Sequence, residues 1–181
     1  MYPIMGACAF VLFFLNDLND WKWSCSFLKV CFPAGLVMLF WATAAEAFSG
    51  PAFTAGAVRL CLLALAVVFG ALLVYTLFFA LPVQEAYGSQ GEVRAVCTES
   101  VYALCRHPGV LWFAGLYLCL WAATGVSLLS AAVYCGLNVA LVWFEDRIVF
   151  PARLAGYDEY RRTTPFLIPN GASIARCCAK R

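Results

Sequence analysis

Residues 57–83 read AVRLCLLALAVVFGALLVYTLFFALPV, with Arg59 the one charged residue in the run. An α-helix crosses a bilayer core with about 20 mostly apolar residues, so this stretch predicts a membrane-spanning helix. The rest of the chain agrees with it. Of 181 residues, 64% are apolar and 12% charged, with a mean hydropathy of +0.83. Soluble domains run near 45–50% apolar and about 25% charged. A soluble fold of this length would leave large apolar patches in water. Composition therefore excludes the soluble, disordered and secreted disulfide-rich classes.

Working outward, Tyr2 to Leu15 predicts a short or tilted first span, since no basic leader or small-residue cleavage site marks it as a signal peptide. Asn16 to Lys22 reads as a polar turn, with Trp21 and Trp23 beside Lys22 as an interface anchor. A second span runs from about Phe27 to Phe48, with Lys29 near one end, and Ser49-Gly50-Pro51 breaks it. The run 57–83 is the third. Residues 84–108 form a polar loop, and Pro108 sits where proline favours a helix start. Val110 to Ala123 and Val126 to Phe144 predict two antiparallel spans joined at Gly125. The expected fold is all-α: a polytopic membrane bundle of about five transmembrane helices with a short amphipathic C-terminal helix on the cytoplasmic side. Residues 1–83 supply three N-terminal spans, and residues 84–181 the loop, hairpin and tail.

Charge sets the expected orientation. From Arg147 onward come Arg147, Arg153, Arg161, Arg162, Arg176, Lys180 and Arg181, against Asp146, Asp158 and Glu159. The positive-inside rule places this tail and the loop 84–108 in the cytoplasm and the N-terminus outside. This predicts a multi-pass protein of the plasma or inner membrane in a bacterium, or of the endoplasmic reticulum in a eukaryote. A net charge of +2 gives no reason to invoke nucleic acid. The bilayer is the implied partner, and oligomeric state is left open. Cys8, Cys31, Cys61, Cys119 and Cys135 lie in apolar runs, where free cysteine behaves as a small hydrophobe. No spacing fits a common zinc site, so no metal is expected. Cys177–Cys178 reads as an incidental tail pair, with palmitoylation as the alternative.

Two polar clusters flank the hairpin. The first is Tyr102-Ala-Leu-Cys-Arg106-His107-Pro108. A helix opening at Pro108 turns its free N–H groups towards an anion, an attraction of roughly 0.3–1 kcal/mol, and Arg106 adds a fork-shaped donor for carboxylate or phosphate. The second is Glu145-Asp146, then Tyr157-Asp-Glu-Tyr160-Arg-Arg162 and Thr164-Pro165-Phe-Leu-Ile168-Pro169. Adjacent acids at the edge of hydrocarbon need a partner or a wet cavity, and here they read as the end of the fifth span. Tyr157 and Tyr160 share a face of a short helix expected to start near Pro151, with Leu154 on that face. They are either packing residues or an aromatic wall beside a ligand cation. Asp158 and Arg162 read as a surface pair. Glu46, deep in the second span, either joins the pocket or faces the opposite interface. An antiparallel hairpin brings its two ends together, so residues about forty apart line one site.

Together the clusters resemble the integral-membrane superfamily of isoprenylcysteine carboxyl methyltransferases and phospholipid N-methyltransferases. Its Tyr-x-x-x-Arg-His-Pro motif, paired acids, Tyr-x-x-Tyr and Pro-x-x-Ile-Pro read here as Tyr102…Arg106-His107-Pro108, Glu145-Asp146, Tyr157…Tyr160 and Pro165…Ile168-Pro169. The match covers about residues 98–169. The chain departs from the pattern with Val110 for tyrosine, Trp112 for glycine, Asp146 for glutamate and Thr163 for arginine. The resemblance implies that S-adenosyl-L-methionine binds between hairpin and tail. Tyr102, Arg106, His107 and Pro108 would then hold or wall its carboxylate end, and Glu145 and Asp146 its ribose or amino groups. It implies Arg106 and His107 as the catalytic pair, His107 being the one base that titrates near neutrality. Tyr157, Tyr160 and Arg162 fall on the side of a lipid, prenylcysteine or other small methyl acceptor. The alternatives are an NADPH-dependent membrane reductase of the sterol reductase type and a non-catalytic protein on the same scaffold. The reductases have Asn-Tyr after His-Pro, where this chain has Gly109-Val110.

Overall fold

The computed structural model describes residues 2–80 and 94–179. Its architecture is all-α, about 80% helical. The main helices are α1 (Tyr2–Leu18), α2 (Cys31–Ser49), α3 (Gly56–Phe78), α4 (Pro108–Ala123) and α5 (Leu128–Phe144). After α5 come short α6 (Phe150–Arg153), α7 (Tyr157–Thr163) and α8 (Gly171–Ala179). A minimal parallel pairing joins β1 (Arg94–Ala95) to β2 (Leu154–Ala155). Four continuous helical stretches are long and apolar enough to cross a membrane: Tyr2–Trp23, Ser26–Ser49, Gly56–Phe78 and Leu128–Arg153. The fifth expected span, α4, is apolar but has 16 residues, a rise of about 24 Å at 1.5 Å per residue. The front of the loop, residues 84–93, lies outside the described residues.

Three expected boundaries are overturned, the first two for one physical reason. Asn16 to Lys22 is not a turn: α1 runs on through a π turn, Asn19–Trp23, and the chain reverses at Ser24, whose φ is +50°. Polar residues are tolerated there because they are satisfied internally. Buried Asn19 donates to the Cys25 carbonyl at 3.0 Å and accepts the Cys25 N–H at 2.8 Å. Likewise, Glu145-Asp146 does not end the last span. The helix continues through a second π turn, Glu145–Val149, into α6. Pro151 lies inside α6, and the helix carrying Tyr157 and Tyr160 begins instead at Tyr157, after Gly156 in the left-handed region with φ +79°. Leu154 sits in β2 and so shares no helical face with them.

The helices pack chiefly as α1 on α2 and α3 on α4, with α5 against α1 and α4. Their core draws on both halves of the chain: Ala9, Phe10, Phe13 and Leu39 meet Phe113, Tyr117, Val126, Ala131 and Tyr134. Phe10 is its hub, with ring centroids 5.5 Å from Phe13, 6.1 Å from Phe113 and 6.2 Å from Tyr134. Many other large apolar side chains, such as Phe40, Trp41, Leu60 and Val67, point outward, as a lipid-facing surface requires.

The end carrying the α4–α5 connection is pinned by backbone. The Gly125 N–H donates to the Ala47 carbonyl at 3.1 Å, and Thr54 N–H to Ala122 at 3.0 Å. Gly125 is needed for close approach: a Cβ there would stand 2.6 Å from both the N and the O of Gly50. Glu46, 8% exposed, faces this end and not the polar clusters. Its Oε1 accepts the Ser127 N–H at 3.2 Å and the Ser130 hydroxyl at 2.8 Å. Ser127 in turn caps α5 by accepting the Ser130 N–H at 3.1 Å. Arg59 also serves this end, donating to the Ala123 carbonyl at 3.0 Å.

Candidate functional site

At the opposite end the two polar clusters meet. A one-turn 3-10 helix, Ser100–Ala103, carries Tyr102, and His107 is the residue before α4, with Pro108 at its first position. The tail then lies against this approach. The Arg106 N–H donates to the Pro165 carbonyl at 2.9 Å, and the His107 N–H to Phe166 at 3.2 Å. Between Pro165 and Pro169 the tail bends at Phe166–Ile168, and the carbonyls of Pro165 and Phe166 meet these donors.

The centre of the cluster is an ion pair forty residues apart. Arg106 Nε donates to Asp146 Oδ1 at 2.7 Å, and Nη2 to Oδ2 at 3.2 Å. This is the bidentate fork geometry that gives arginine its strongest carboxylate contacts. Its Nη1 donates to the carbonyls of Arg161 at 3.0 Å and Thr164 at 2.6 Å. Four of the five guanidinium donors are thus taken by the protein, which makes Arg106 a clamp between hairpin and tail. Asp146 is equally engaged. Its Oδ1 also accepts the Tyr157 hydroxyl at 2.7 Å and lies 3.4 Å from His107 Nε2.

The π turn is what aims Asp146 inward. Its defining bond runs from the Phe150 N–H to the Glu145 carbonyl, five residues back rather than four, which widens the helix by one residue. The turn also delivers Phe150, whose ring stacks on His107 at 5.7 Å and 10°. Phe166 meets the same imidazole edge-on at 5.2 Å. Burial between these rings pushes the His107 pKa below its ordinary 6.5, against the opposing pull of Asp146. His107 Nδ1 lies 3.9 Å from Glu145 Oε2. Glu145 has no arginine of its own among the described residues and sets its carboxyl against Asp17 of α1. Asp17 Oδ2 finds no hydrogen-bond donor there.

The tyrosines are braces. Tyr157 and Tyr160 are both buried, 5.8 Å apart and edge-to-face. Tyr160 donates to the Tyr102 carbonyl at 2.7 Å, and Tyr102 donates to the Thr76 carbonyl of α3 at 3.0 Å. Burial raises all three phenols above their usual range, and the neighbouring Asp146 carboxylate raises Tyr157 further. Buried Cys105 is pushed up to about 11, so it carries no thiolate near neutrality. Arg162 is apart from the cluster: it is exposed, 3.7 Å from Glu159, and Asp158 pairs with Arg161 at 3.9 Å. The expected Asp158–Arg162 pair is therefore replaced by two pairs at three-residue spacing.

Of the residues singled out from sequence, Tyr102, Arg106, His107, Pro108, Glu145, Asp146, Tyr157 and Tyr160 converge here. Asp17 and Thr76 were missed. The available signal for Asp17 was an ionisable residue one turn beyond an apolar helix, a position that calls for a partner. Trp112 fills the space between α4 and α3, with Nε1 donating to Thr76 Oγ1 at 3.1 Å and its ring stacked on Phe69. No family model, curated protein or solved structure matches the chain.

Proposed function

We propose that this protein is an integral-membrane, S-adenosyl-L-methionine-dependent methyltransferase with α4 as its fifth span and its tail in the cytoplasm. One observation carries the reading: Arg106 and Asp146 pair across forty residues while Tyr157, Tyr160 and the Pro165–Pro169 tail close over them. That convergence follows the order in which the resembling superfamily sets out its motifs. In this proposal Arg106 and Asp146 hold the pocket together. Glu145, the carboxylate without an arginine, takes the cofactor's ribose or amino group, and the helix start at Pro108 its carboxylate. The cofactor, when bound, supplies an electrophilic methyl group. The chain's own task is to align the acceptor and exclude water. His107, kept neutral by burial, accepts a proton where the acceptor is an amine.

Titration calorimetry of the detergent-purified protein with S-adenosyl-L-methionine, and separately with NADPH, tests this. Binding of the first alone is expected, weakened at least tenfold by Glu145→Gln, which is about 1.4 kcal/mol, and unchanged by Cys178→Ser. Binding of NADPH alone moves the protein to the reductases. A second reading has its own observation, the near-complete use of Arg106's donors by the protein. If neither ligand binds to folded protein, the cluster is a latch and the scaffold is non-catalytic.

A further inference from the structure

Helix α8 (Gly171–Ala179) has a sharply divided surface. Its start is well built: Asn170 Oδ1 accepts the Ser173 N–H at 2.9 Å, and Ser173 Oγ accepts the Asn170 N–H at 3.0 Å, a reciprocal cap. One side of the helix rests on the bundle. Ser173 is buried, and the Cys177 thiol donates to the Ser100 carbonyl at 3.6 Å. The other side is open and, apart from Arg176, apolar, with Gly171, Ala172, Ile174, Ala175 and Cys178 all exposed. Ile174 is 48% exposed, and Ile168, three residues before the helix, is 79% exposed.

Two observations say what covers this face. The first is position. Ser100 Oγ lies 3.2 Å from the Tyr75 hydroxyl, and Tyr75 belongs to the last turns of α3, whose outward residues Val74, Leu77 and Phe78 are exposed. Through Tyr75, Ser100 and Cys177, α8 is attached where the lipid-facing surface of a candidate span ends. Successive helical positions turn by about 100°. The packed pair Ser173/Cys177 and the open pair Ile174/Cys178 therefore point roughly at right angles, as a helix lying in the corner between bundle and membrane surface must. The second observation is charge. Arg176 is exposed on the helix, with one guanidinium nitrogen, Nη2, donating to the Thr163 carbonyl at 2.5 Å, and Lys180 and Arg181 follow in sequence. No acid occurs after Glu159.

We infer that α8 is a membrane-docking helix that lays Ile174 and Cys178 into the headgroup boundary of the adjoining leaflet and selects anionic lipid through Arg176, Lys180 and Arg181. Apolar burial and attraction to anionic headgroups are the two terms that hold such interfacial helices, and basic residues near a negative surface strengthen the second. The inference needs the chain to span a membrane but is independent of any methyl transfer.

The test uses the full-length protein in detergent, in phosphatidylcholine vesicles, and in vesicles with a third phosphatidylglycerol. A charged, membrane-impermeant maleimide labels exposed thiols, and mass spectrometry follows Cys178 in a Cys177→Ser background. Cys97, at the same end of the bundle, is the internal standard for orientation. Relative to Cys97, Cys178 should label about tenfold more slowly in anionic vesicles than in detergent. High salt and the pair Lys180→Glu/Arg181→Glu, which leaves the Arg176 bond in place, should restore the rate. Equal rates in all three media would overturn docking. Slowing that is the same in both vesicle types would overturn selection of anionic lipid. Slowing that follows protein density in place of lipid charge would assign the face to a second copy of the chain.

Discussion

The Arg106–Asp146 pair makes a strong demand on stability. Its side chains are 10% and 2% exposed, so removing one partner leaves the other charged, buried and short of bonds. Asp146→Leu strands a guanidinium with the Arg161 and Thr164 carbonyls as its remaining acceptors. Arg106→Leu strands a carboxylate that keeps the Tyr157 hydroxyl and His107. Breaking a buried pair from one side costs about 3–5 kcal/mol, whereas replacing both partners with apolar groups of similar size is often neutral. Asp146→Leu should fall at the upper end of that range and Arg106→Leu at the lower, because Asp146 has more donors to fall back on. The double variant should recover at least about 2 kcal/mol relative to the sum, as expected for residues in direct contact. For a chain of this length 1 kcal/mol moves Tm by roughly 2–4 °C. Each single variant should thus melt about 6–20 °C below the parent in ligand-free detergent solution, followed by tryptophan fluorescence. Single variants that melt within about 2 °C of the parent, or a double variant that is merely additive, would refute the claim that this pair fastens tail to hairpin.

At the pinned end, Gly125→Ala drives a Cβ to 2.6 Å from the Gly50 backbone, while Gly50→Ala meets Gly125 O at 3.2 Å. The first should cost about 1–3 kcal/mol as overpacking against atoms that cannot rotate away, and the second clearly less; equal melting temperatures would show that the contact is looser than described. His107 should give stability a pH dependence. Its folded pKa is lowered by burial, so below about pH 6.5 the unfolded chain binds a proton that the folded one refuses. Stability is then complete above about pH 7 and falls on acidification at up to 1.4 kcal/mol per pH unit. His107→Gln should flatten this segment of the profile, and an unchanged slope would reassign it to other groups.

Much of this arrangement was legible in the chain. Pro108 marks a helix start because proline's missing N–H costs nothing there, and a short connection after Ala123 makes neighbours of α4 and α5. Those two facts suffice to bring Arg106 near Asp146. The errors fall where polar residues are satisfied inside the fold. Asn19 and Asp17 look like a turn when hydropathy is read in windows, because nothing in the sequence reveals that Cys25 and Glu145 receive them. The same applies to Glu145-Asp146: no proline or glycine stops the helix, but two adjacent acids lower its apparent hydropathy and mimic an end. Glu46 offered two readings, and which one held depended on Ser127 and Ser130, more than eighty residues away.

The π turn at Glu145–Val149 turns the length of this segment into a constraint of its own. Deleting any one residue of it would let the backbone relax to an ordinary α-helix and swing everything beyond by about 100°. Phe150 would leave the imidazole of His107, and the Tyr157 hydroxyl would lose Asp146. Substituting half-buried Ile148 with another apolar residue would disturb neither contact. From Asp146 to Tyr157 the chain acts as a ruler, and the number of residues matters more than which they are. Alignments that slide a gap through these positions would misplace the site even where every motif letter still matched.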